Sequence, residues 1–459
     1  MDDLFIWWPE LLSLHVAASS LALLLYVVTT HGLRMHRHPS AAIAWIALML
    51  AVPYFALPIY LMFGLRKHRR ARLMPAWPGP ADPGADPWIR LGHGLGLPSP
   101  APYQRLDLDT DGVAARDALL ALVDSARRSI DVATFTFADD AFGAAIGERL
   151  CAAARRGVAV RLMVDGVGAW LHRHRHFQRL REAGVRIALY SPVFDWPFRG
   201  RANLRNHRKM VIVDSTRAWL GGRNLAAEYF VAEDGPAWID LSFTLHGQVA
   251  ASLTMLFDRD WAFASRQRWI APHEAVDGGA SPDNALLIPS GPEYADDTLH
   301  AILVWACHAA RERIAIATPY FVPDPELLSA LVGALRRGVP VKLVMPDRSN
   351  HRLADWARGR SIRDLQLTGG EVLLTPGMSH AKLILIDDTI AFAGSANIDA
   401  RSLFINHELM LGLRRPADVA AMRQWFDALA ARCTPQRLKP LTLRRDLKEG
   451  LAQWLTFQL

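Results

Sequence analysis

The hydrophobic positions divide the chain into an apolar N-terminal part and a longer part in which short apolar runs alternate with polar segments. Residues 11–33 and 39–65 form two runs of 23 and 27 residues that contain no Asp, Glu, Lys or Arg. A helix of about 20 apolar residues is long enough to cross the hydrocarbon core of a bilayer. The pattern therefore predicts two transmembrane segments, at about 11–33 and 39–65, within a membrane region that covers residues 1–72.

The second apolar run contains two prolines, Pro53 and Pro58, and proline removes helix hydrogen bonds. A kinked or re-entrant segment is therefore an alternative to a continuous span. Five basic residues follow this run between positions 66 and 72, whereas the first ten residues contain none. Because basic residues favour the cytoplasmic side, the pattern predicts a hairpin with both ends in the cytoplasm and a cytoplasmic catalytic region.

The remainder of the chain separates into a linker and a repeated α/β region. Residues 73–103 are dense in Pro and Gly, which is typical of a linker with little regular structure. From residue 104 onward, strand-like runs alternate with helical patterns, and the sequence Arg-Arg-Gly ends a helical pattern twice, at 155–157 and at 336–338. The alternation favours α/β structure, and the repetition predicts two duplicated α/β lobes, at 104–275 and 276–459.

Two segments of equal length repeat the same polar residues at the same offsets. The first reads HRKMVIVDSTRAWLGGRN from position 207, and the second reads HAKLILIDDTIAFAGSAN from position 380. The shared residues are a histidine, a lysine, an aspartate and an asparagine, namely His207, Lys209, Asp214 and Asn224, then His380, Lys382, Asp387 and Asn397. A single such pattern is weak, but two copies at equal spacing predict one catalytic site that both copies build.

The residue types in these segments indicate chemistry at a phosphate diester. The apolar runs Met210 to Val213 and Leu383 to Ile386 predict buried strands. Residues two apart in an extended chain share a face, so each histidine projects beside its lysine. Fixed lysine and asparagine donors stabilise negative charge on phosphate oxygens. One histidine can attack phosphorus while the other protonates the leaving oxygen, and the residues do not decide which takes which role.

Asp214 and Asp387 complete the repeated motif, and we count them among the candidate catalytic residues. Each follows its predicted strand at a turn, however. An aspartate at a turn commonly accepts hydrogen bonds from nearby backbone. We therefore favour the interpretation that these two carboxylates end their strands and hold neighbouring backbone.

The composition narrows the class of partner without choosing one. The chain has 52 Lys and Arg against 45 Asp and Glu, a formal net charge of +7. This modest excess suits an anionic partner, and both a membrane surface and nucleic acid are anionic. The three cysteines lie far apart and lack the spacing of a metal site, so we expect reduced thiols.

The duplicated HxKxxxxD pattern resembles that of the phospholipase D superfamily. The resemblance implies two α/β lobes around a pseudo-two-fold active site, with a phosphohistidine intermediate and neither metal nor cofactor. His207 and His380 would be the catalytic pair, with Lys209, Lys382, Asn224 and Asn397 on the phosphate. It also implies a carboxylate about thirty residues past each histidine that orients an imidazole, and Asp240 and Glu408 stand at the expected places.

A narrower resemblance is to the bacterial cardiolipin synthases of this superfamily. It rests on AWIALMLAVPYFALPIYLMFG followed by basic residues, on PSGP and ATPYFVPD, and on SANIDARSLFINHEL after the second motif. His407 departs from the family pattern, which more usually has an aromatic residue before the glutamate. The resemblance implies transfer of a phosphatidyl group from one phosphatidylglycerol to another with release of glycerol, by a multi-pass protein of the bacterial inner membrane.

Two alternatives remain open from the sequence. A related phosphatidyltransferase or phospholipase D hydrolase would use another donor, another alcohol or water. A membrane-tethered nuclease is more distant, because the apolar runs and the lack of a dense basic stripe interleaved with aromatic residues argue against a strand-binding groove. We therefore expect phosphatidylglycerol and membrane lipid as partners, and no nucleic acid.

Overall fold

The computed structural model describes residues 8–32, 39–64, 86–171, 175–192, 203–231, 236–269, 281, 283–294, 296–438 and 442–458. The basic residues at 66–72, the first part of the predicted linker and the predicted boundary near 275 lie outside these ranges. Within them the chain forms an apolar helical region followed by two mixed sheets with flanking helices. The predicted α/β class with two duplicated lobes is confirmed.

The N-terminal region contains three helices, α1 (Trp8–Gly32), α2 (Pro39–Ala51) and α3 (Pro53–Phe63). Residues Glu10–Thr30 of α1 are long and apolar enough to cross a membrane, with a mean hydropathy of 2.1. The second predicted span is not one continuous helix, because α2 ends before Val52, whose φ of −142° is not helical. Pro53 lacks an N–H and its ring crowds the preceding turn, so the kinked alternative describes this segment.

Polar side chains of α1 compensate for the break between α2 and α3. The carbonyl oxygen of Leu50 lies 2.9 Å from Nε2 of His15 and 3.5 Å from Oγ of Ser19. Nearer the other end, Oγ1 of Thr29 lies 2.6 Å from the hydroxyl of Tyr60. A helix break is tolerated in an apolar setting when neighbouring helices bind the freed backbone groups. The three helices therefore pack as one bundle.

The first sheet has seven strands in the order β2-β8-β7-β6-β3-β4-β5. The strands β3, β4 and β5 are parallel, and the other neighbours are antiparallel. Their bounds are β2 Arg105–Asp109, β3 Ser129–Thr134, β4 Ala159–Asp165, β5 Arg186–Tyr190, β6 Met210–Val213, β7 Arg217–Gly221 and β8 Ser242–His246. The helices of this half are α5 Gly112–Asp124, α6 Ala141–Arg155, α7 Gly166–Leu171, α8 Arg175–Glu182 and α9 Val249–Ala264, with a 3-10 turn at Ala227–Tyr229.

The second sheet has nine strands in the order β1-β9-β17-β15-β14-β10-β12-β13-β18. Seven of its strands, from β9 to β13 in that order, repeat the first sheet strand for strand. The bounds are β1 Ala101–Pro102, β9 Asn284–Ser290, β10 Ile314–Ala317, β12 Val341–Pro346, β13 Glu371–Thr375, β14 Leu383–Ile386, β15 Ile390–Gly394, β17 Glu408–Leu413 and β18 Thr434–Pro435. A separate pair joins β11 Phe321–Val322 to β16 Ile398–Asp399.

Seven helices accompany the second sheet. Their bounds are α4 Pro87–Gly94, α10 Thr298–Ala309, α11 Pro325–Arg336, α12 Arg352–Leu367, α13 Ala400–Phe404, α14 Pro416–Ala430 and α15 Leu443–Gln458. The prediction that residues 73–103 have little regular structure is wrong for the described part of this segment, because it contains α4 and β1. Both belong to the second half, since β1 pairs with β9 and Trp88 of α4 packs against Phe392 of β15.

A shared core holds the two sheets against each other. One cluster of buried residues draws Leu220 and Phe243 from the first sheet and Leu385 and Leu411 from the second. Separate clusters fill the space between each sheet and its outer helices. The buried core residues mostly have less than a tenth of their surface exposed, so their apolar area stabilises the contact between halves. The relative position of the two histidine motifs is therefore set by a continuous core.

Candidate active site

The two histidine motifs lie at equivalent points of the two sheets. The predicted strands are confirmed as β6 and β14, with the bounds that the sequence indicates. His207 and Lys209 precede β6, and His380 and Lys382 precede β14. Each strand is followed by an antiparallel partner, β7 or β15, which returns the chain to the same end and places Asn224 or Asn397 there. The histidine, lysine and asparagine of each copy therefore lie at one end of a hairpin.

Short stretches of parallel backbone join the two halves at the histidines. The N–H of His207 donates to the carbonyl of His407 at 2.9 Å, and the N–H of His407 donates to the carbonyl of Arg205 at 2.9 Å. In the other copy, the N–H of His380 donates to the carbonyl of Ile239 at 2.6 Å. Each histidine is thus attached to the segment that carries the acidic residue of the opposite half.

The carboxylates orient the histidines across the interface between halves. Nδ1 of His207 lies 3.0 Å from Oε1 of Glu408, and Nδ1 of His380 lies 3.1 Å from Oδ2 of Asp240. His380, Asp240 and Glu408 are buried, and the side chain of His207 is partly exposed, at 15%. A carboxylate on Nδ1 fixes the tautomer and leaves Nε2 free to react. The acids therefore each orient the histidine of the other half.

Two buried lysines lie beside the histidines. Nζ of Lys209 donates to the carbonyl of His207 at 2.8 Å, and Nζ of Lys382 donates to the carbonyl of His380 at 2.5 Å. Burial lowers the pKa of Lys209 to about 8 and that of Lys382 to about 7, against the opposing effect of the nearby carboxylates. Each ammonium group is poorly solvated, so an anion in the cleft would be bound strongly.

The histidines experience charges from both halves. Burial lowers the pKa of His380 well below its usual value, and the charges of Lys382, Lys209 and His207 lower it further. Burial also lowers the pKa of His207, although the neighbouring Glu408 opposes this. A neutral imidazole is the reactive form of a nucleophilic histidine. The four groups form one electrostatically coupled cleft in which neutral imidazoles are favoured.

The carboxylates of Asp240 and Glu408 differ in the direction in which their pKa values are shifted. Burial raises the pKa of Asp240 to about 6, although Lys382 and Arg223 oppose the shift. Burial would raise the pKa of Glu408 as well, but His207, Lys209 and a hydrogen bond from Ser395 outweigh it and lower the pKa. The two histidine–carboxylate pairs therefore share the contact at Nδ1 but differ in the direction in which the pKa of the carboxylate is shifted. They also differ in that only His380 has a lysine nitrogen, Nζ of Lys382, at 2.8 Å from Nδ1.

The asparagines have unused hydrogen-bonding capacity. Nδ2 of Asn224 donates to the hydroxyl of Tyr229 at 2.8 Å. The side-chain oxygens of Asn224 and Asn397 are buried and have no hydrogen-bond partner among the described residues. Buried amide groups are usually satisfied, and an amide oxygen only accepts, so a hydroxyl of a bound molecule would complete these two oxygens, whereas a phosphate oxygen would accept from an amide N–H.

Asp214 and Asp387 lie away from this cleft, which corrects their place among the candidate catalytic residues. Asp214 follows β6 at the end opposite His207, roughly 20 Å away for seven residues of extended chain. Its carboxylate accepts hydrogen bonds from the backbone N–H groups of Arg127, Arg128 and Ser129. Asp387 accepts from Arg311, Glu312 and Arg313 in the same way. Both carboxylates hold backbone, as the favoured interpretation has it.

Several residues of the site are missed by reasoning from the sequence. Arg208, inside the first motif, is fully buried, and its Nε donates to the carbonyl of Glu408 at 3.0 Å. Its other nitrogens bind Asp260 and Glu293, both at 2.5 Å. His407, the departure from the family pattern, contacts Glu293 at 2.7 Å and the hydroxyl of Tyr190 at 3.0 Å. This buried network supports the backbone that carries Glu408.

Aromatic side chains form walls beside the histidines. The ring of Phe135 lies 5.3 Å from that of His207, and the rings of Tyr229 and Trp238 lie 5.1 and 5.8 Å from that of His380. Tyr320 is buried, and its hydroxyl donates to Oδ1 of Asn350 at 2.5 Å. Phe135 directly follows β3, and Trp238 stands two residues before Asp240, so position could have indicated these two. Tyr229 lies in the 3-10 turn and carries no such signal.

One group of possible metal ligands lies elsewhere in the described part of the chain. His300, Asp324 and Glu326 have ligand atoms within 4.8 Å of one another. Nε2 of His300 lies 2.9 Å from Oδ1 of Asp324, and Asp324 also caps α11. These contacts already account for the arrangement as a helix cap with a bonded histidine.

Comparisons with known proteins identify the family to which the chain is similar. The family described as "Cardiolipin synthase, PLD-like domain" matches residues 119–261 and 303–430, and the family described as "Phospholipase_D-nuclease N-terminal" matches residues 20–64. Cardiolipin synthase A of Pseudomonas putida (strain W619) is 32% identical over 84% of this chain and 85% of its own length. Cardiolipin synthase A of Klebsiella pneumoniae (strain 342) is 31% identical over 95% of both chains.

A solved structure shares the fold. The crystal structure of phosphatidylserine synthase from Haemophilus influenzae Rd KW20 superposes with a TM-score of 0.64, covering 81% of this chain and 96% of that one. The sequence identity is 13%, so this similarity concerns the fold alone.

Proposed function

Since this chain belongs to the cardiolipin synthase family of the phospholipase D superfamily, we propose that it transfers a phosphatidyl group from one phosphatidylglycerol to another and releases glycerol. Membership makes the protein a phosphatidyltransferase that acts on phospholipids. The observation that carries the proposal is the pair of histidines, each oriented by a carboxylate of the opposite half, beside two buried lysines.

In the first half-reaction, Nε2 of one histidine attacks the phosphorus of phosphatidylglycerol. The new phosphorus–nitrogen bond forms as the bond to the glycerol headgroup oxygen breaks. The other histidine, protonated, gives its proton to that oxygen, and free glycerol leaves. An anionic phosphate raises the pKa of neighbouring imidazoles, so the substrate favours the protonation that the acid histidine needs.

The second half-reaction reverses these roles. The histidine that gave its proton now removes one from a hydroxyl of a second phosphatidylglycerol headgroup. The hydroxyl oxygen attacks phosphorus, the phosphorus–nitrogen bond breaks, and cardiolipin leaves. Lys209, Lys382, Asn224 and Asn397 bind the non-bridging oxygens in both steps, because negative charge there is greatest in the transition state.

The apolar N-terminal region supports a lipid substrate and a membrane location. The α1 helix and the lipid-acting family favour an enzyme that works at a membrane. We further propose a multi-pass protein of the bacterial inner membrane with its catalytic region in the cytoplasm. Phosphatidylglycerol is the expected donor and acceptor, since both are then concentrated at the surface where the cleft operates.

A product assay tests the proposal. The full-length protein in detergent receives labelled phosphatidylglycerol as sole lipid, and cardiolipin, phosphatidic acid and glycerol are followed. Cardiolipin and glycerol are expected in equal amounts with the wild-type protein and should be absent with His207→Ala or His380→Ala. His246→Ala is the matched control, because His246 pairs with Asp107 outside the cleft.

Other products would contradict the proposal in defined ways. Phosphatidic acid without cardiolipin would mean that water is the acceptor and that the protein is a hydrolase. Substantial cardiolipin formation by either histidine variant would refute the paired-histidine mechanism. Turnover of nucleic acid but not of lipid would make the protein a nuclease.

A further inference from the structure

The C-terminal helix α15 is attached to the molecule with its polar face inward. It packs against α12, and the side chains in this contact include Arg445, Asp446 and Glu449. A helix at the surface of a globular protein normally turns its apolar stripe toward the core. The inverted orientation of α15 therefore requires a separate explanation.

Ion pairs hold the helix in this orientation. Glu449 is buried, and its carboxylate contacts Arg363 of α12 at 2.7 Å and Arg445 at 2.6 Å. Asp446 contacts Arg360 of α12 at 2.9 Å. Rotating α15 to bury its apolar stripe would leave the guanidinium groups of α12 without these partners. Glu449 is the buried member of these pairs, and rotation would leave its carboxylate without Arg363, so the ion pairs favour the observed face pointing outward.

The outward face carries a row of leucines. Leu443, Leu447 and Leu451 are 77%, 63% and 60% exposed, respectively. Residues four apart on a helix are neighbours on one face, so the three side chains form one continuous stripe. Single exposed leucines are common on protein surfaces, but a stripe fixed outward by ion pairs is not an accident of packing.

Cationic and aromatic groups border the leucine stripe. Arg444 and Lys448 are exposed and alternate with the leucines along α15. Nζ of Lys448 lies 3.9 Å from the ring centroid of Trp356, which is itself 45% exposed on α12. Leucines flanked by basic residues, with a tryptophan at the edge, are the composition of a helix that lies in a bilayer interface.

We propose that α15 docks on the surface of the lipid bilayer, with Leu443, Leu447 and Leu451 inserted at the interface and Arg444 and Lys448 against anionic headgroups. The positive charge beside the stripe complements an anionic lipid surface, whereas two copies of this stripe would bring the same positive charges together. As a membrane-spanning helix, which its length and composition allow, α1 would keep the catalytic region beside a bilayer.

A short series of packing contacts connects α15 to the candidate active site. Ala452 of α15 packs with Val322 of β11, and β11 pairs with β16, which begins directly after Asn397. A bilayer contact through α15 therefore brings the phosphate-binding end of the second half near the lipid headgroups. The inference goes beyond the proposed transfer reaction, and of its two tests only the rate comparison rests on that reaction.

Depth measurements on spin-labelled protein test the docking. A nitroxide is attached to Leu447→Cys in a variant that has Cys151, Cys307 and Cys433 replaced by alanine. The full-length protein is placed in nanodiscs of phosphatidylethanolamine and phosphatidylglycerol. Leu367→Cys is the matched control, because Leu367 is 68% exposed on α12 but lies outside the stripe.

The expected result is that collisions with oxygen exceed collisions with a water-soluble nickel chelate at position 447, and that the reverse holds at position 367. Equal access of the nickel chelate to both labels would overturn the proposal. Protection of position 447 from both reagents, together with dipolar broadening between labels, would also overturn it, because a second copy would then cover the stripe. Neither readout requires catalysis.

A rate comparison provides the second test. The triple variant Leu443→Gln, Leu447→Gln and Leu451→Gln is compared with Leu367→Gln on phosphatidylglycerol in bilayers and on a short-chain phosphatidylglycerol dispersed as monomers. The triple variant should lose about fivefold or more in rate on bilayers and keep its rate on monomers. A triple variant that matches Leu367→Gln on both substrates would contradict a role in bilayer docking. A triple variant that loses rate equally on both substrates would contradict it as well.

Discussion

At the scale of single residues, the two histidines occupy matching positions but not matching electrostatic environments. The partner of His207 is Glu408, whose pKa is lowered by that histidine, Lys209 and Ser395 against the effect of burial. The partner of His380 is Asp240, whose pKa burial raises to about 6. The carboxylates act through the imidazoles they orient, so we regard them as positioning residues.

Removing the charge of either positioning residue should slow the reaction without abolishing substrate binding. We expect Asp240→Asn and Glu408→Gln each to lower kcat by about 10²-fold, because the amide no longer fixes the imidazole tautomer. The measurement is kcat and KM for cardiolipin formation. Asp107→Asn is the control, since Asp107 bonds His246 outside the cleft at 2.9 Å. A change in KM with kcat unaltered would contradict a positioning role.

The pKa directions of the cleft predict a bell-shaped dependence of kcat/KM on pH. The acidic limb should lie below the usual histidine pKa of about 6.5, because burial lowers the pKa of both imidazoles and the attacking one must be neutral. The alkaline limb should fall at or below about pH 7 to 8, because the acid histidine must keep its proton and because Lys382 and Lys209 lose there the protons that hold phosphate. A profile that stays flat to pH 9 would show that the lysines are charged throughout.

At the scale of elements, the hairpins β6–β7 and β14–β15 depend on the aspartates that follow their first strands. Asp214 and Asp387 have φ values of 55° and 51°, in the left-handed region. Most non-glycine residues avoid this region, and aspartate tolerates it better than most. The three backbone hydrogen bonds to each carboxylate offset the remaining strain and tie the hairpin to the start of β3 or β10.

Asp214→Ala should therefore destabilise the protein rather than impair its chemistry. We expect a loss of about 2 kcal/mol in the free energy of unfolding, because three backbone N–H groups lose their acceptor. The folded fraction should retain a kcat close to that of the wild-type protein. Denaturant unfolding of the detergent-solubilised protein, combined with the product assay, measures both. His207→Ala is the converse control, with activity lost and stability kept.

The same carboxylate predicts the direction of a pH effect on stability. Backbone N–H groups lower the pKa of Asp214 below its usual value, although partial burial opposes them. A group with a lowered folded-state pKa stabilises the fold fully above its unfolded-state pKa and loses that contribution as the pH falls through the folded-state value. The difference in stability between wild-type protein and Asp214→Ala should therefore shrink on acidification below about pH 4. A difference that is independent of pH would contradict the ionised carboxylate as acceptor.

At the scale of the whole molecule, the sequence pattern predicted strands and duplicated lobes but not the contacts between the two halves. The short apolar runs predicted β6 and β14, and the repetition predicted two duplicated lobes, which share one sheet order. The exchange of carboxylates between halves was not predictable, because spacing along the chain does not reveal that Glu408 contacts His207. The role of Arg208 was hidden for the same reason, since its partners lie 52 to 200 residues away.

The structure also differs from the sequence predictions where one sequence pattern is compatible with two structures. Apolar composition alone does not separate a continuous span from α2 and α3, and only the backbone at Val52 decides it. A stretch rich in Pro and Gly resembles a linker, yet α4 and β1 form because Trp88 and Ala101 are buried against the second half. In both cases tertiary contacts outweigh local preference.

The pairing of β1 with β9 has a mechanical consequence. After the apolar helices, β1 pairs with the second half before the chain enters the first half. The helix α15 also packs on the second half. A body held at one point can swivel freely, whereas a body held at two points can turn only about the line between them. With α15 on the bilayer, the second half would be held at the membrane at two points. The first half, which packs on it, would be held only through the second half. The orientation of the catalytic cleft relative to the lipid surface would then be set by geometry and not by diffusion on a tether.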